Sequence, residues 1–395
     1  MSNRIDIVIT EAPQVDTSTP PLINANLTDE ATGFSWTIAA QGGFKSAQID
    51  CVVPRARAFE ILQRFTSKRV IFTSPTALNL AQVCWEGMVY QVSVDDGKRK
   101  VTRSMANVYN SVTVAYSSTD YTQATPQGAQ VATVTLTDSP SQALYGFRQL
   151  VYTVGEMNST DATRLATILL ARYGYPQTVI GGESVGDAPG GNEVRVSIDC
   201  VGYGEVLDKY IYTSALTTTQ SLDTLVKNVI TAHATAGPTQ ILSTNYANVT
   251  VNSLTRPRWQ LKNITALDYI NDVCAYGSGS FAEQNLFGVT ENRQIYYNPF
   301  PSTLSYWQSM FDSSERVYSY DSGGVVDPWN VRPGKLIAIG DILPDTGYPY
   351  DFDVTDVEQF LIGEVKFTAP NKLALTPWTG DPTQVVLHRI GAANE

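Results

Sequence analysis

Residues 84–116, CWEGMVYQVSVDDGKRKVTRSMANVYNSVTVAY, are the stretch whose reading decides the fold class. Val83, Trp85, Val89, Val92 and Val94 are β-branched or aromatic, the side chains that suit a pleated, half-buried surface. Asp96-Gly97 supplies the left-handed backbone of a tight hairpin turn, and the chain returns through Val101 and Thr102. From Ser111 to Tyr116 polar and apolar residues alternate, which puts Val112, Val114 and Tyr116 on one sheet face and the seryl and threonyl side chains on the other. The expectation is a meander with one wet face. No acid–base pair, nucleophile or metal cluster accompanies it, so the stretch reads as scaffold.

The chain has 395 residues, which sets a prior of about two to four domains. Hydrophobic residues make up 43%, enough to bury cores throughout, whereas charged residues make up only 16%, below the usual quarter. With abundant Ser, Thr, Asn, Gln and Tyr, that profile fits β-rich surfaces that meet other proteins, in large assemblies or in secreted carbohydrate binders. The net charge of −11 argues against an outer surface that grips nucleic acid, which needs clustered Lys and Arg. An acidic wall lets DNA slide past, and acidity also keeps a protein soluble.

Cys51, Cys84, Cys200 and Cys274 stand at long spacings and His233 and His388 are the two histidines, so no zinc site is expected and the cysteines read as buried free thiols. The start, MSNRIDIVIT, lacks the apolar core of a cleavable signal, and no run reaches the length of a membrane span. Assembly in a reducing cytosol is the expectation.

Along the chain, residues 1–32 read as an extended arm around Pro13, Pro20 and Pro21, after a short strand-like run from Ile5 to Ile9. Residues 33–214 read as a β-rich barrel region with short helices, possible as two barrels. Within it, Gly42-Gly43 divides a hairpin, Phe59, Leu62 and Phe65 mark a short amphipathic helix, and Thr160-Asp161 opens a helix through Leu165, Ile168 and Leu169. Residues 215–300 read as an α+β helix-and-hairpin module. Ser221 caps a helix striped by Leu222, Leu225, Val226, Val229, Ile230 and His233, and Thr265 starts another, with Leu267, Ile270, Val273 and Cys274, before a hairpin turning at Glu291-Asn292. Residues 301–395 read as a C-terminal small β-barrel region. The expected fold class is mainly β with α+β: several small tube-type β-barrel domains plus the helix-and-hairpin module.

Candidate chemistry is sparse. His233 lies on an apolar helix stripe, where a packing role is expected, and His388 has no cysteine or serine motif beside it. Asp351, Asp353, Asp356 and Glu358 read as a solvated acidic edge, with a weak cation site or a glycosidase pair as the alternatives. The glycine-rich loop from Gly181 to Gly191 lacks the spacing of a phosphate cradle. Trp36, Trp85, Tyr116 and Tyr296 sit in strands and suit a core or subunit contacts, while Trp307 lies in a loop-like apolar patch suited to a partner. No catalytic, cofactor-binding or metal-binding residue is assigned.

Three stretches together resemble the hub-like proteins at the tip of bacteriophage tails. The first is Trp85-Glu86-Gly87-Met88-Val89 with its hairpin and Arg103 to Val112, similar to a tube-type barrel meander. The second runs from Ala266 to Gly277 with the hairpin ending Ile295-Tyr296-Tyr297-Asn298-Pro299, and the third is Val331-Arg332-Pro333-Gly334, similar to a turn that introduces a later barrel. They cover about half of the chain discontinuously, and each is also ordinary hairpin or helix grammar. The resemblance implies a bacteriophage virion protein, a structural tail hub or baseplate subunit that forms a homo-oligomeric ring, trimer favoured and hexamer the alternative. It also implies other tail proteins as partners (tube, distal tail, tip or fibre), DNA passing without specific binding, and no catalytic residues; with no membrane span in the sequence, the expectation is a non-enzymatic chain without cofactors. The competing reading is a carbohydrate-binding receptor module.

Overall fold

Alternating apolar positions along Ala31–Ala39, Gly42–Pro54 and Ala81–Asp95 build the centre of one large sheet. The computed structural model describes residues 5–11, 23–75, 81–118, 130–181, 192–216, 219–256, 259–278, 284–299, 318–321, 332–333, 336–338, 359–369, 372–378 and 385–389. Over these residues the protein is a β-rich α+β fold, the class expected. The main strand path runs Tyr318–Asp321, Lys372–Pro377, Gln359–Thr368, Ala31–Ala39, Gly42–Pro54, Glu193–Val201, Ala81–Asp95, Arg69–Pro75, Asp6–Thr10, Ile23–Asn26. Asp6–Thr10, in the region read as an arm, is paired on both sides.

No pairing among the described residues joins the two ends of this path, and no closed barrel is defined by the described strands. The sheet is nevertheless strongly curled. Trp36 and Phe72 lie on strands four pairings apart, about 19 Å across a flat sheet, yet their ring centroids are 5.3 Å apart. Bulges at Thr37/Ile38, Phe72/Thr73 and Asp199/Cys200 supply local bend. The curl gathers Ile7, Ile49, Phe72, Trp85, Val92 and Ile198 into one core, with Trp36 stacked 4.2 Å from Phe367. In the adjoining helix Arg55–Arg64, Ala58, Ile61 and Leu62 are buried and Phe65 closes the end. Phe59, expected on the buried stripe, is 42% exposed, because the inward face is centred one residue away.

The hairpin of Ala81–Asp95 with Lys100–Ser104 turns where expected, with Gly97 at φ 79°. Asp96 accepts from the amides of Arg99 and Lys98 at 2.8 and 3.0 Å, which holds its carboxyl below the usual range. The expected third strand of the meander goes elsewhere. Ser111–Ser118 pairs antiparallel with Gln130–Thr137 and parallel with Gln149–Glu156 in a separate sheet. Alternation fixed which side chains share a face there, and pairing was decided by the longer connection that a parallel neighbour requires. Helices Ser139–Tyr145 and Ser159–Tyr173 complete this unit, in which Val112, Val114 and Tyr116 pack with Ala162 and Ala166. Asn158, not Thr160, caps the second helix by accepting from the Asp161 amide at 2.8 Å, and Ile168 is 63% exposed. The unit is inserted into a sheet extension, since Lys100–Ser104 before it pairs with Gln177–Ile180 after it.

A third core forms from helices Leu222–Thr235 and Ala266–Ala275 against the hairpin Asn285–Val289 and Ile295–Pro299. The expected stripe from Leu222 to His233 is buried, and Thr265 Oγ1 accepts from the Asp268 amide at 3.1 Å. This module docks on the main sheet through Gly288 opposite Gly42 and Val289 opposite Gly43. Only glycine fits at 43: its φ is 74°, and a Cβ there would lie 2.2 Å from the Val289 carbonyl oxygen.

Candidate functional site

The junctions between these units hold the chain's least expected chemistry. Glu86 follows Trp85 on the longest strand and is fully buried. Arg69, on the neighbouring strand, places Nε 2.9 Å from Glu86 Oε1, and Arg293 of the helix-and-hairpin module places Nε 3.6 Å from the same oxygen. The backbone N–H of Asn292 donates to Oε2 at 2.9 Å. Asn292 and Arg293 both have φ 57°, a left-handed pair that turns amide and guanidinium toward the carboxylate. The Arg293 guanidinium also lies 4.6 Å over the Tyr203 ring, and burial pushes the Tyr203 phenol up. A buried carboxylate is costly unless paired, so this set acts as a clasp whose members depend on one another.

Arg148 makes a second clasp. It is 1% exposed and donates from Nε to Val108 O at 3.0 Å and from Nη2 to Met105 O at 3.2 Å, while its amide donates to Asn110 Oδ1 at 2.9 Å. Burial pushes the guanidinium down from its ordinary value, opposed by Tyr90 and Glu205. Asn110 in turn donates to Gly146 O at 2.7 Å, and the backbone N–H of Gln149 donates to Lys209 O at 2.8 Å, so the main sheet, the inserted unit and the third core meet here.

Arg332 makes a third. Its guanidinium donates to the Val83 and Cys84 carbonyls, at 3.2 Å for Cys84, on the stretch of Ala81–Asp95 that Glu193–Val201 leaves unpaired, and sits 5.3 Å over the Phe44 ring. A fourth joins residues 385–389 to the second helix of the third core. His388 Nε2 lies 2.9 Å from Asp272 Oδ1, Arg256 pairs with the other oxygen, and Arg389 donates to Tyr276 O.

The sequence-singled residues separate. His233 is buried, its two ring nitrogens have no hydrogen-bond partner among the described residues, and burial pushes its imidazole down to about 4. It is a packing residue against Tyr210, at 5.4 Å. All four cysteines are buried and reduced, with the Cys51 thiol pushed up to about 12 by burial first and by Glu30 and Asp50 next. Trp36, Trp85 and Tyr116 are core residues, and Tyr296 donates its hydroxyl to Ala40 O. Asp351, Asp353, Asp356, Glu358, Trp307 and positions 182–191 lie outside the described residues. Among the described residues no group of three or more His, Cys, Asp or Glu is arranged to hold a metal ion, and no helix is long and apolar enough to cross a membrane. Glu86, Arg69, Arg148 and Arg293 were missed. A signal existed for Glu86, a charge set between Trp85 and Gly87 in the middle of a strand whose neighbouring residues Val83, Cys84, Met88 and Val89 are apolar.

No protein-family model matches the chain, and no curated protein matches its sequence. Among solved structures, the 43 kDa tail protein of prophage MuSo2 from Shewanella oneidensis aligns with a TM-score of 0.39 at 9% identity, covering 97% of this chain and 98% of that one. The tail protein from Neisseria meningitidis MC58 aligns with a TM-score of 0.40 at 7% identity, covering 98% and 99%.

Proposed function

We propose that the chain is a structural subunit of a bacteriophage tail, a hub-like protein at the distal end that forms a ring around the DNA channel and joins the tube to the tip or fibre. One observation carries the reading: the three stretches that resemble hub proteins, far apart in sequence, meet in space. Glu86 of the first is held by Arg293 in the hairpin of the second, and Arg332 of the third donates to Val83 and Cys84 at the edge of the first. Buried, multiply bonded clasps resist shear between units, which a ring subunit under tension requires and a mobile lid does not. The partners under this reading are copies of itself, as a trimer in preference to a hexamer, and neighbouring tube, distal-tail and tip proteins, with DNA passing unread. No reaction and no cofactor are assigned.

Light scattering across a concentration series, followed by negative-stain imaging, tests it. The expected result is a closed ring with a central hole wide enough for duplex DNA, formed alone or on mixing with tube and tip proteins. A chain that stays monomeric with those partners present overturns the reading.

A further inference from the structure

Against a net charge of −11, one cleft is lined by cations alone among its charged residues. It encloses about 180 Å³ between the end of helix Arg55–Arg64 and the end of helix Ser139–Tyr145, and Arg64, Lys68 and Arg103 reach it together with Thr66, Leu144 and Tyr145. Lys68 and Arg103 have no ion-pair partner among the described residues, and Arg103 Nε and Thr66 Oγ1 are buried without a hydrogen-bond partner. Arg64 reaches Glu60 at 3.4 Å with its side chain 74% exposed.

Two carboxylates, Glu60 and Glu11, line an adjoining cleft that shares Arg64 and Lys68, and Glu60 is held more closely by Arg57, at 2.8 Å, than by Arg64, at 3.4 Å. Two helix C-termini meet here, and their carbonyls favour cations, which accounts for Arg64 and Lys68 in part. It does not account for Arg103, which comes from the strand Lys100–Ser104. The carbonyls of the second helix end are already engaged: Leu144 O accepts from Ser67 Oγ at 3.1 Å and Ala143 O from Thr239 Oγ1 at 3.4 Å. The floor is fixed by Ser67, at φ 72°, whose amide donates to Val89 O while Lys68 O accepts from the Val89 amide. The site is thus preformed, cationic inside and apolar at the rim, where Leu144 is 53% exposed.

We propose that this cleft docks an acidic segment of a partner protein, with a carboxylate bound by Arg103 and Lys68 and an adjacent aliphatic side chain lying on Leu144. The volume is several times the roughly 30 Å³ share of one water, room for a carboxylate-bearing side chain. Charge complementarity selects the occupant, since unpartnered guanidinium and ammonium groups take an acceptor and reject a basic segment. The inference rests on the cleft and not on the tail assignment, because binding is read on the chain whether it is a monomer or a ring.

The probe is a fluorescein-labelled Gly-Glu-Leu-Asp-Gly peptide, titrated by anisotropy with the full chain at low and physiological salt, beside the same peptide with Gln and Asn for Glu and Asp. Saturable binding of the acidic peptide alone is expected, weakened about tenfold by Lys68→Gln and by added salt. Leu144→Asp, at an exposed position, is expected to abolish it with the folded signal retained. Equal binding of both peptides, no binding at low salt, or binding unchanged in both variants overturns the proposal. So does inorganic phosphate raising the melting temperature in a Lys68-dependent way while the peptide fails to bind, which assigns the cleft to phosphate.

Discussion

The main sheet and the inserted unit solve the same burial problem with very different means. The main sheet wraps Trp36, Phe72, Trp85 and Phe367 into stacked and edge-on contacts, whereas the inserted unit packs Val112, Val114 and Tyr116 on two alanines of one helix, ringed by aliphatic side chains such as Val134, Leu136 and Leu165 that stay half-buried. Large aromatic side chains bury far more area per residue than alanine, so the first core stabilises itself and the second leans on its neighbours. Arg148 and Asn110, at the base of the inserted unit, are where it leans.

The largest expected effect comes from breaking the clasp by which the main sheet holds the third core. Glu86→Ala leaves the buried Arg293 and the half-buried Arg69 without their shared carboxylate, and denaturant melts should show a loss of about 3–5 kcal/mol. A loss below 1 kcal/mol would mean that water reaches the site. His233 provides the next test, from the third core. Its folded pKa lies below its unfolded value, so the unfolded chain takes the proton first and stability falls as pH drops from about 6.5 toward 4, levelling below that. The full penalty is on the order of 3 kcal/mol, and His233→Leu should flatten that limb of the stability–pH curve.

Arg148→Met sharpens the comparison itself. It removes two bonds to backbone carbonyls at a cost of about 2 kcal/mol, and hydrogen exchange should speed up in Ser111–Ser118 while Gly42–Pro54 stays protected. Uniform acceleration across both would show that the two cores unfold as one. The smallest effect is expected from Ile168→Ser, which should stay within about 0.5 kcal/mol because that side chain already faces solvent.

What was legible in the sequence follows the same division. Local rules placed the Asp96-Gly97 turn, the Leu222 to His233 stripe and the Thr265 cap, which all stand in the structure, and missed one cap by two positions, at Thr160 instead of Asn158. They failed where a distant partner decides. Ser111–Ser118 alternates just as a meander strand would, and nothing within it reports that Gln149–Glu156 will lie parallel beside it. The junction arginines escaped for the same reason, since Arg293 lies in what reads as a polar hairpin turn and acquires its role only when Glu86 arrives from 207 positions earlier in the chain, one position beyond the 206 that separate Glu86 from Asn292.

Arg332 has a consequence for the chain while it is being made. It follows Cys84, whose carbonyl it seals, by 248 residues. At a synthesis rate of about 5–20 residues per second, that carbonyl waits roughly 12–50 s on the ribosome for its donor. Throughout that interval the Val83–Cys84 edge of the longest strand lacks the guanidinium that completes it, so this part of the sheet is finished by one of the later segments to be made.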